Sequence, residues 1–555
     1  MMKSSVLTLL ASALVLSGCA MLSPAPSGPV AVKVLAINDF HGNLKPTSGI
    51  RIKDPADSSK TITVPAGGAE HLATATRQLL ENNPNHIFVA AGDLIGGSPL
   101  LSALFYDEPT IESLSMMGLE VAAVGNHEFD GGIAELLRKQ YGGCHPEHGC
   151  KGPTQFKGAK FQYLAASTWD TKTGKTVLPA YHIKRFNGVP MAFIGLTLKG
   201  TPEIVTPSGV AGLRFDDEAE TVNKLVPELR AQGIEAIALL IHEGGFPTGD
   251  YNECPGISGP IVDIVKKLDK AVDLIVSGHT HRAYQCNIDG RLVTSGDKYG
   301  TIVTEIDLQL DPKSRDVISA KANNVIVRTE RYAKDPAQTQ LIAAYEKLAE
   351  PLAKRVVGRI SDSISREASP AGAMPMGQLI ADAQLAATAG ASEGGAVIAL
   401  MNAGGVRAAL NKSASGEVTY ADAFAVQPFY NNLVTMTLTG AQIHRLLEQQ
   451  WRSEDVRGAF LQVSKGFSYS WDAKKPLGSR VPADSIKLNG QTLDPQTDYR
   501  VTVNSFIASG GDGFRVLTEG KNTRTGAMDV DALERYLTSQ PNITPSALDR
   551  VQRLN

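Results

Sequence analysis

At 555 residues, 43% of them apolar and 20% charged, the chain is too long for a single core and has the composition of ordinary globular domains, so two or more domains are expected. A formal charge of −3 comes without Lys/Arg runs and without basic residues interleaved with aromatics, which excludes the electrostatic footprint of a nucleic-acid-binding protein.

The chain begins with Lys3 ahead of an apolar stretch, 6–16, which reads as an export signal too short to span a membrane. It closes on Leu16-Ser17-Gly18-Cys19, which resembles the lipobox of bacterial lipoproteins, whose Cys becomes the lipidated first residue. Residues 1–19 are therefore expected to be a lipoprotein signal peptide and the Pro- and Ser-rich segment 20–29 a tether. The expected location is a bacterial cell envelope, periplasmic or outer-membrane, with membrane contact through the lipid anchor alone. Cys144, Cys150, Cys254 and Cys286 remain as an even set suited to an oxidising compartment. Three pairings are possible, and Cys144–Cys150 with Cys254–Cys286 is the favoured one. His145 and His148 lie in the first loop, but four ligands within so few residues can hardly surround one tetrahedral ion, so no zinc site is expected there.

From residue 30 one pattern repeats: a short apolar, β-branched run that ends abruptly in Gly, Asp, Asn or His. Such runs read as buried strands. Run 32–37 delivers Asn38-Asp39-Phe40-His41, run 86–91 delivers Gly92-Asp93, and run 121–124 delivers Gly125-Asn126-His127-Glu128-Phe129-Asp130. Further on, run 236–241 delivers His242 and run 272–277 delivers Gly278-His279-Thr280-His281. Helical spacing at 69–82, 133–140, 218–232 and 261–268 lies between several of these runs, an alternation that argues for an α/β fold.

In open α/β sheets, ligands bind beyond the carboxyl ends of the strands, and all five polar clusters fall there. Five of the eleven histidines, His41, His127, His242, His279 and His281, belong to them. With Asp39, Asp93 and Asn126 they supply imidazole, carboxylate and amide oxygen and no thiolate, a set suited to Zn²⁺, Mn²⁺, Co²⁺ or Mg²⁺. The ligands are too many for one ion. Two ions about 4 Å apart, bridged by a carboxylate, would use them all, and such pairs hydrolyse phosphate esters.

The ordered set Asp39-x-His41, Gly92-Asp93, Gly125-Asn126-His127-Glu128, His242 and Gly278-His279-Thr280-His281 resembles the calcineurin-like metallophosphoesterases. Asn402-Ala403-Gly404-Gly405-Val406-Arg407 and the stretch 505–514, which holds Phe506 and Gly510-Gly511-Asp512-Gly513, are similar to the C-terminal signatures of the 5′-nucleotidase and UDP-sugar hydrolase family. The resemblance implies a catalytic sandwich of two sheets flanked by helices at 30–334, a linker helix at 335–356 and a smaller α/β substrate-binding domain at 357–555. It implies that Asp39, His41, Asp93 and His281 hold one ion and that Asp93, Asn126, His242 and His279 hold the other. Some relatives carry Gln in place of His281, which leaves the metal preference open. His127 is implied to meet the transferred phosphoryl group, with Asp130 orienting its ring.

The segment 335–356 has helically spaced apolar residues, with Pro351 as the expected kink and a hinge between the halves. Run 396–401 opens onto Asn402 and the Gly404-Gly405 pair, beside which Arg407 can grip a phosphate. The family resemblance implies that Phe429 and Phe506 stack on the two faces of a base and that Asp512 accepts from ribose hydroxyls, with Asn402 and Asn431 as candidates for base contacts. Relatives often place arginines near 376–379. Here the nearest is Arg366, whose alignment is left open.

The expectation is a monomeric, two-metal phosphohydrolase that removes the 5′-phosphate of nucleotides, with UDP-sugars and NAD as further candidate substrates. A second reading is a 2′,3′-cyclic nucleotide phosphodiesterase with 3′-nucleotidase activity. A third is a nucleotide-binding surface lipoprotein with a retired active site, which the complete ligand set argues against.

Overall fold

The computed structural model describes residues 28–47, 49–429, 431–452 and 457–555. The expected signal peptide, Cys19 and the tether up to residue 27 lie outside the described residues. Among those described, no helix is long and apolar enough to cross a membrane.

Side chains alternate between the faces of a strand, and in the first half both faces are apolar. On strand Val30–Ile37, Val30, Val32, Val34 and Ala36 point to one side, where they meet Phe193, Ala238, Leu240 and Val276 of a second sheet. Leu35 and Ile37 point to the other side, under helices that contribute Leu72, Ile111 and Leu114. The second sheet repeats the arrangement, with Ile194, Ile237, Leu239 and Ile275 facing Val222, Leu229 and Val265 of its own covering helices. Two six-stranded sheets thus pack face to face with helices outside, which is why the strands read as continuous apolar runs.

Within the first sheet, Val30–Ile37, His86–Ala90, Val121–Ala123 and Gln162–Leu164 run parallel, so that Ile37, Ala90 and Ala122 stand abreast. In the second, Val189–Thr197, Ala236–His242, Leu274–Ser277 and Arg291–Gly296 run parallel, with Ile241 opposite Ser277. The carboxyl ends of the central strands therefore open along one edge of each sheet. The expected helices form as Ala69–Leu80, Gly132–Tyr141, Glu218–Ala231 and Pro260–Lys267. The disulfides are Cys144–Cys150 and Cys254–Cys286.

The second half is built on a five-stranded sheet in the order Leu461–Val463, Ile398–Asn402, Asp498–Asn504, Asn432–Thr439, Lys521–Met528. Its parallel pair, Ile398–Asn402 with Asp498–Asn504, brings Asn402 and Asn504 to the same edge, and helix Pro375–Thr388 covers it with Ile380 and Ala383 against Met401.

Between the halves runs helix Pro336–Ala353. Asp335 caps it by accepting from Ala337 N (3.0 Å) and Gln338 N (3.1 Å), and Pro336 supplies a first-turn position that needs no donor. Pro351 falls in its last turn. The helix is tied to the first half along its length: Arg77 pairs with Asp335 at 2.6 Å, Ser113 bonds Gln338 at 2.7 Å, and the Tyr345 hydroxyl donates to Glu112 at 3.1 Å. The second half takes hold at its last turn, where Leu352 and Ala353 pack against the core of that half, and just beyond, where Arg355 O accepts from Tyr420 N at 2.8 Å. The segment expected to be a hinge is therefore mostly a fixture of the first half.

Asp335→Ala removes the cap and the acceptor of Arg77, and the expected cost is about 1 kcal/mol. A lower midpoint of chemical denaturation with unchanged circular dichroism is the readout, and an unchanged midpoint would count against the cap.

Candidate active site

The loops that follow the parallel strands converge where the two sheets meet. Asp39, His41, Asp93, His279 and His281 hold left-handed backbones, with φ between 45° and 69°. Non-glycine residues seldom adopt that region, and such residues gather at functional sites because the fold must hold them there. Close approach also demands glycine at two positions. A Cβ on Gly92 would lie 2.7 Å from His242 Nδ1, and one on Gly125 would lie 2.2 Å from Asp93 Oδ1.

Two groups of donors result, Asp39 with His41 and His281, and Asp93 with His242 and His279. In the first, His281 Nε2 lies 3.1 Å from His41 Nε2 and 3.4 Å from Asp39 Oδ1. In the second, His242 Nε2 lies 3.0 Å from Asp93 Oδ2, and Asn126 Oδ1 lies 3.1 Å from His279 Nδ1. Asp93 Oδ2 is also 3.6 Å from His41 Nε2, so this one oxygen faces both groups.

The donor set fits divalent ions. His41 Nδ1 donates to Gly96 O at 2.7 Å and His242 Nδ1 to Ala91 O at 2.8 Å, so each ring turns Nε2 inward as an acceptor. His242 Nε2 is buried and has no aligned hydrogen-bond partner. Asp39 is steadied by Asn38 Nδ2 at 2.7 Å and His279 N at 2.9 Å. Burial would raise its pKa, but the His281 and His242 imidazoles hold it at about 2. Burial works against charge on Asp93 too, yet His242 and His127 keep it well below the usual carboxylate range.

His127 is held differently. Its Nδ1 bonds Asp130 Oδ2 at 2.7 Å, and its backbone N–H donates to Asp93 Oδ1 at 2.9 Å. Burial lowers the proton affinity of the ring, but Asp130 and then Asp93 overcome it and set the pKa at about 9. A cation on Asp93 would neutralise the second contribution and leave Asp130 as the one that keeps the ring protonated. His127 also falls within ligand distance of His41 and Asp93.

Glu128, whose carboxylate the sequence could offer as a ligand, faces away. It is buried and accepts from Gly125 N at 2.6 Å, Leu94 N at 2.8 Å and Asp93 N at 3.0 Å. Burial and the neighbouring Asp93 push its pKa up to about 7. It fastens the loop of Asp93 to the loop of Asn126.

A cleft of about 310 Å³ leads from this centre into the second half. Asn126, His127, Asp130 and His279 line it at one end, and Asn402, Arg407, Phe429, Asn431, Phe506 and Asp512 beyond. The Phe429 ring lies parallel to His127 at 5.9 Å between centroids and under the Arg407 guanidinium at 5.5 Å. Asp512 Oδ2 accepts from Asn402 Nδ2 at 2.7 Å, and burial raises the Asp512 pKa. Arg366 bonds the carbonyl of Arg407, which places the two guanidinium groups close enough to repel. The structure thus brings every sequence-predicted site residue to one centre and its cleft.

Four lining residues escaped the sequence. Asn504 donates to Asn402 Oδ1 at 2.8 Å, and its signal was its place at the end of a strand just before the 505–514 motif. Ile204, Val205 and Thr206 come from the first half and wall the cleft opposite Asp512, with no sequence signal at all.

Glu128→Gln should strand one of three buried N–H groups behind a donor. The expected cost is about 1–3 kcal/mol, read as a lower denaturation midpoint together with weaker metal retention, and full stability would show the bracket to be dispensable.

A family model for calcineurin-like phosphoesterases matches residues 32–283, and one for the 5′-nucleotidase C-terminal domain matches residues 356–519. The chain is 33% identical over 517 residues to the endonuclease YhcR of Bacillus subtilis, covering 93% of this chain but only 40% of that protein. It is 31% identical over 549 residues to the cell wall protein Lmo0130 of Listeria monocytogenes, covering 93% of this chain and 68% of that one. Among solved structures, the 5′-nucleotidase precursor of Thermus thermophilus superposes with a TM-score of 0.76 at 27% identity, covering 95% of this chain and 99% of that chain. The chain belongs to the calcineurin-like phosphoesterases that carry a 5′-nucleotidase C-terminal domain, a family of metal-dependent phosphohydrolases.

Proposed function

We propose that the protein removes the 5′-phosphate of nucleotides outside the cytoplasm, with two divalent ions held by Asp39, His41, Asp93 and His281 and by Asp93, Asn126, His242 and His279. The observation that carries the reading is Asp93 Oδ2, which faces His41 Nε2 at 3.6 Å on one side and His242 Nε2 at 3.0 Å on the other, at the end of a cleft with two phenylalanines. Such ions supply an activated water and neutralise charge on phosphoryl oxygens. The two disulfides and a relative named as a cell wall protein support an extracytoplasmic location, and a lipid anchor at Cys19 remains part of the proposal.

The residues divide the work. His127, kept cationic by Asp130, meets the phosphoryl group as a positive charge and proton donor. Arg407 grips the phosphate, and Arg366 beside it supplies a second positive charge, so an anion between them relieves their repulsion. Phe429 and Phe506 hold the base, Asp512 the ribose, and Asn402 and Asn431 are the candidates for contacts to the base. UDP-sugars and NAD share the nucleoside phosphate that this arrangement recognises.

Asp93→Asn should abolish turnover and leave fewer than two ions per chain by elemental analysis, whereas two tightly held ions with normal activity would refute the shared ligand. His127→Ala should keep the metals and lower kcat by about 10²–10⁴-fold, the range of a positioned acid or base, with Asp130→Asn costing less. Metal loss in His127→Ala would make it a ligand instead.

Phe429→Ala and Phe506→Ala should raise KM for AMP while sparing p-nitrophenyl phosphate, the mark of lost binding rather than lost chemistry. Equal loss on both substrates would place base recognition elsewhere.

A further inference from the structure

Asp107 precedes helix Glu108–Met116 at the position where a carboxylate usually caps the first turn, yet its side chain makes no capping bond. It also holds a left-handed backbone at φ 58°, directly after Tyr106 at φ 54°, a conformation glycine adopts at less cost. An aspartate that gives up its cap in a position better suited to glycine has its carboxylate engaged elsewhere.

The carboxylate turns to the loop 96–98 that follows Asp93. Its Oδ2 accepts from Gly96 N at 3.4 Å and its other polar neighbour is the Ser98 hydroxyl, while Oδ1 is buried without a hydrogen-bond partner, within range of the buried Lys139 ammonium. Gly96 in turn serves the active site. Its carbonyl accepts from His41 Nδ1 at 2.7 Å. A Cβ on Gly96 would lie 2.7 Å from His127 Cβ and 2.8 Å from Asp130 Oδ2, and one on Gly97 would lie 3.3 Å from the Phe429 ring. One loop therefore sets the tautomer of His41, backs the His127–Asp130 pair and touches the second half.

We propose that Asp107 is a positioning residue of the metal centre, which anchors the loop 96–98 from beneath and so fixes the His41 imidazole and the His127–Asp130 pair. The inference rests on the reading of this centre as a metal-dependent phosphohydrolase. Outer partners of this kind are worth 10–100-fold in metal affinity in other proteins.

Asp107→Gly in the full chain separates positioning from folding, because glycine suits the backbone and only the carboxylate is lost. The metal-stripped variant should bind Mn²⁺ about 10–100-fold more weakly by calorimetric titration, at a denaturation midpoint no lower than that of the unaltered protein. Its kcat on p-nitrophenyl phosphate should fall with KM little changed. Asp107→Asn keeps an oxygen that can accept from Gly96 N and should recover most of the affinity. Unaltered Mn²⁺ affinity and kcat in Asp107→Gly would overturn the proposal, and so would a lowered midpoint, which would make the residue structural. If the stripped, unaltered protein itself takes up no Mn²⁺, the metal-centre reading falls and carries this inference with it.

Discussion

The constraint on which the first half depends is electrostatic: four imidazoles and two carboxylates, most of them buried, must stand within a few ångströms of one another. Asp93 is the hub, because its Oδ2 faces both donor groups and its Oδ1 is tied to the backbone of His127. Convergent lone pairs and buried charge are costly without a cation. The backbone adds to the cost, since five of the donors hold left-handed conformations at roughly 1 kcal/mol or more each, a substantial part of the 5–15 kcal/mol of a typical domain. The sheets make that arrangement tolerable. Parallel strands in fixed register deliver each polar residue to one edge, and the Glu128 carboxylate clamps two of the delivered loops together through three backbone N–H groups.

On the proposed reading, that centre would be indifferent to what the phosphate is attached to, because the ions its donors hold would meet only the phosphoryl oxygens. Selection must come from the walls of the cleft, and most of those belong to the second half. Phe429 stands next to both tasks: its ring lies parallel to that of His127 and near the Arg407 guanidinium. On the proposed reading, a base held against Phe429 would stand at a set distance from the phosphoryl group. The first half also contributes, since Ile204, Val205 and Thr206 close the cleft near Asp512, so recognition is shared although the chemistry is not.

Much of this was legible in the sequence for one physical reason. A strand buried on both faces is a continuous apolar run, and the abrupt change to Asp, Asn or His at its end marks where the backbone leaves the sheet. Val121 to Ala123 followed by Asn126 and His127 is such a place, and so is Ile398 to Met401 followed by Asn402. What the sequence could not resolve was direction. Glu128 stands beside a ligand in the chain and points away from it, because three unsatisfied N–H groups compete for its carboxylate. Ile204 to Thr206 reach the cleft only through tertiary packing. The linker's helical spacing was legible, but its ties to Arg77, Ser113 and Glu112 were not, since they come from residues far away in the chain.

The arginine pair follows the same logic as the metal centre. Arg366 and Arg407 come from separate segments of the second half, and the hydrogen bond from Arg366 to the Arg407 carbonyl brings together two like charges that repel. Repulsion of this kind survives in a fold when an anion repays it. The donors of the first half suit a cation and Arg407 of the second suits an anion, and the cleft that Arg407 lines reaches His279 and Asn126 of the first half. On the reading proposed above, a phosphate ester gripped by Arg407 with its phosphoryl oxygens at the metal centre would satisfy both, so the substrate would complete a charge balance that neither half reaches alone.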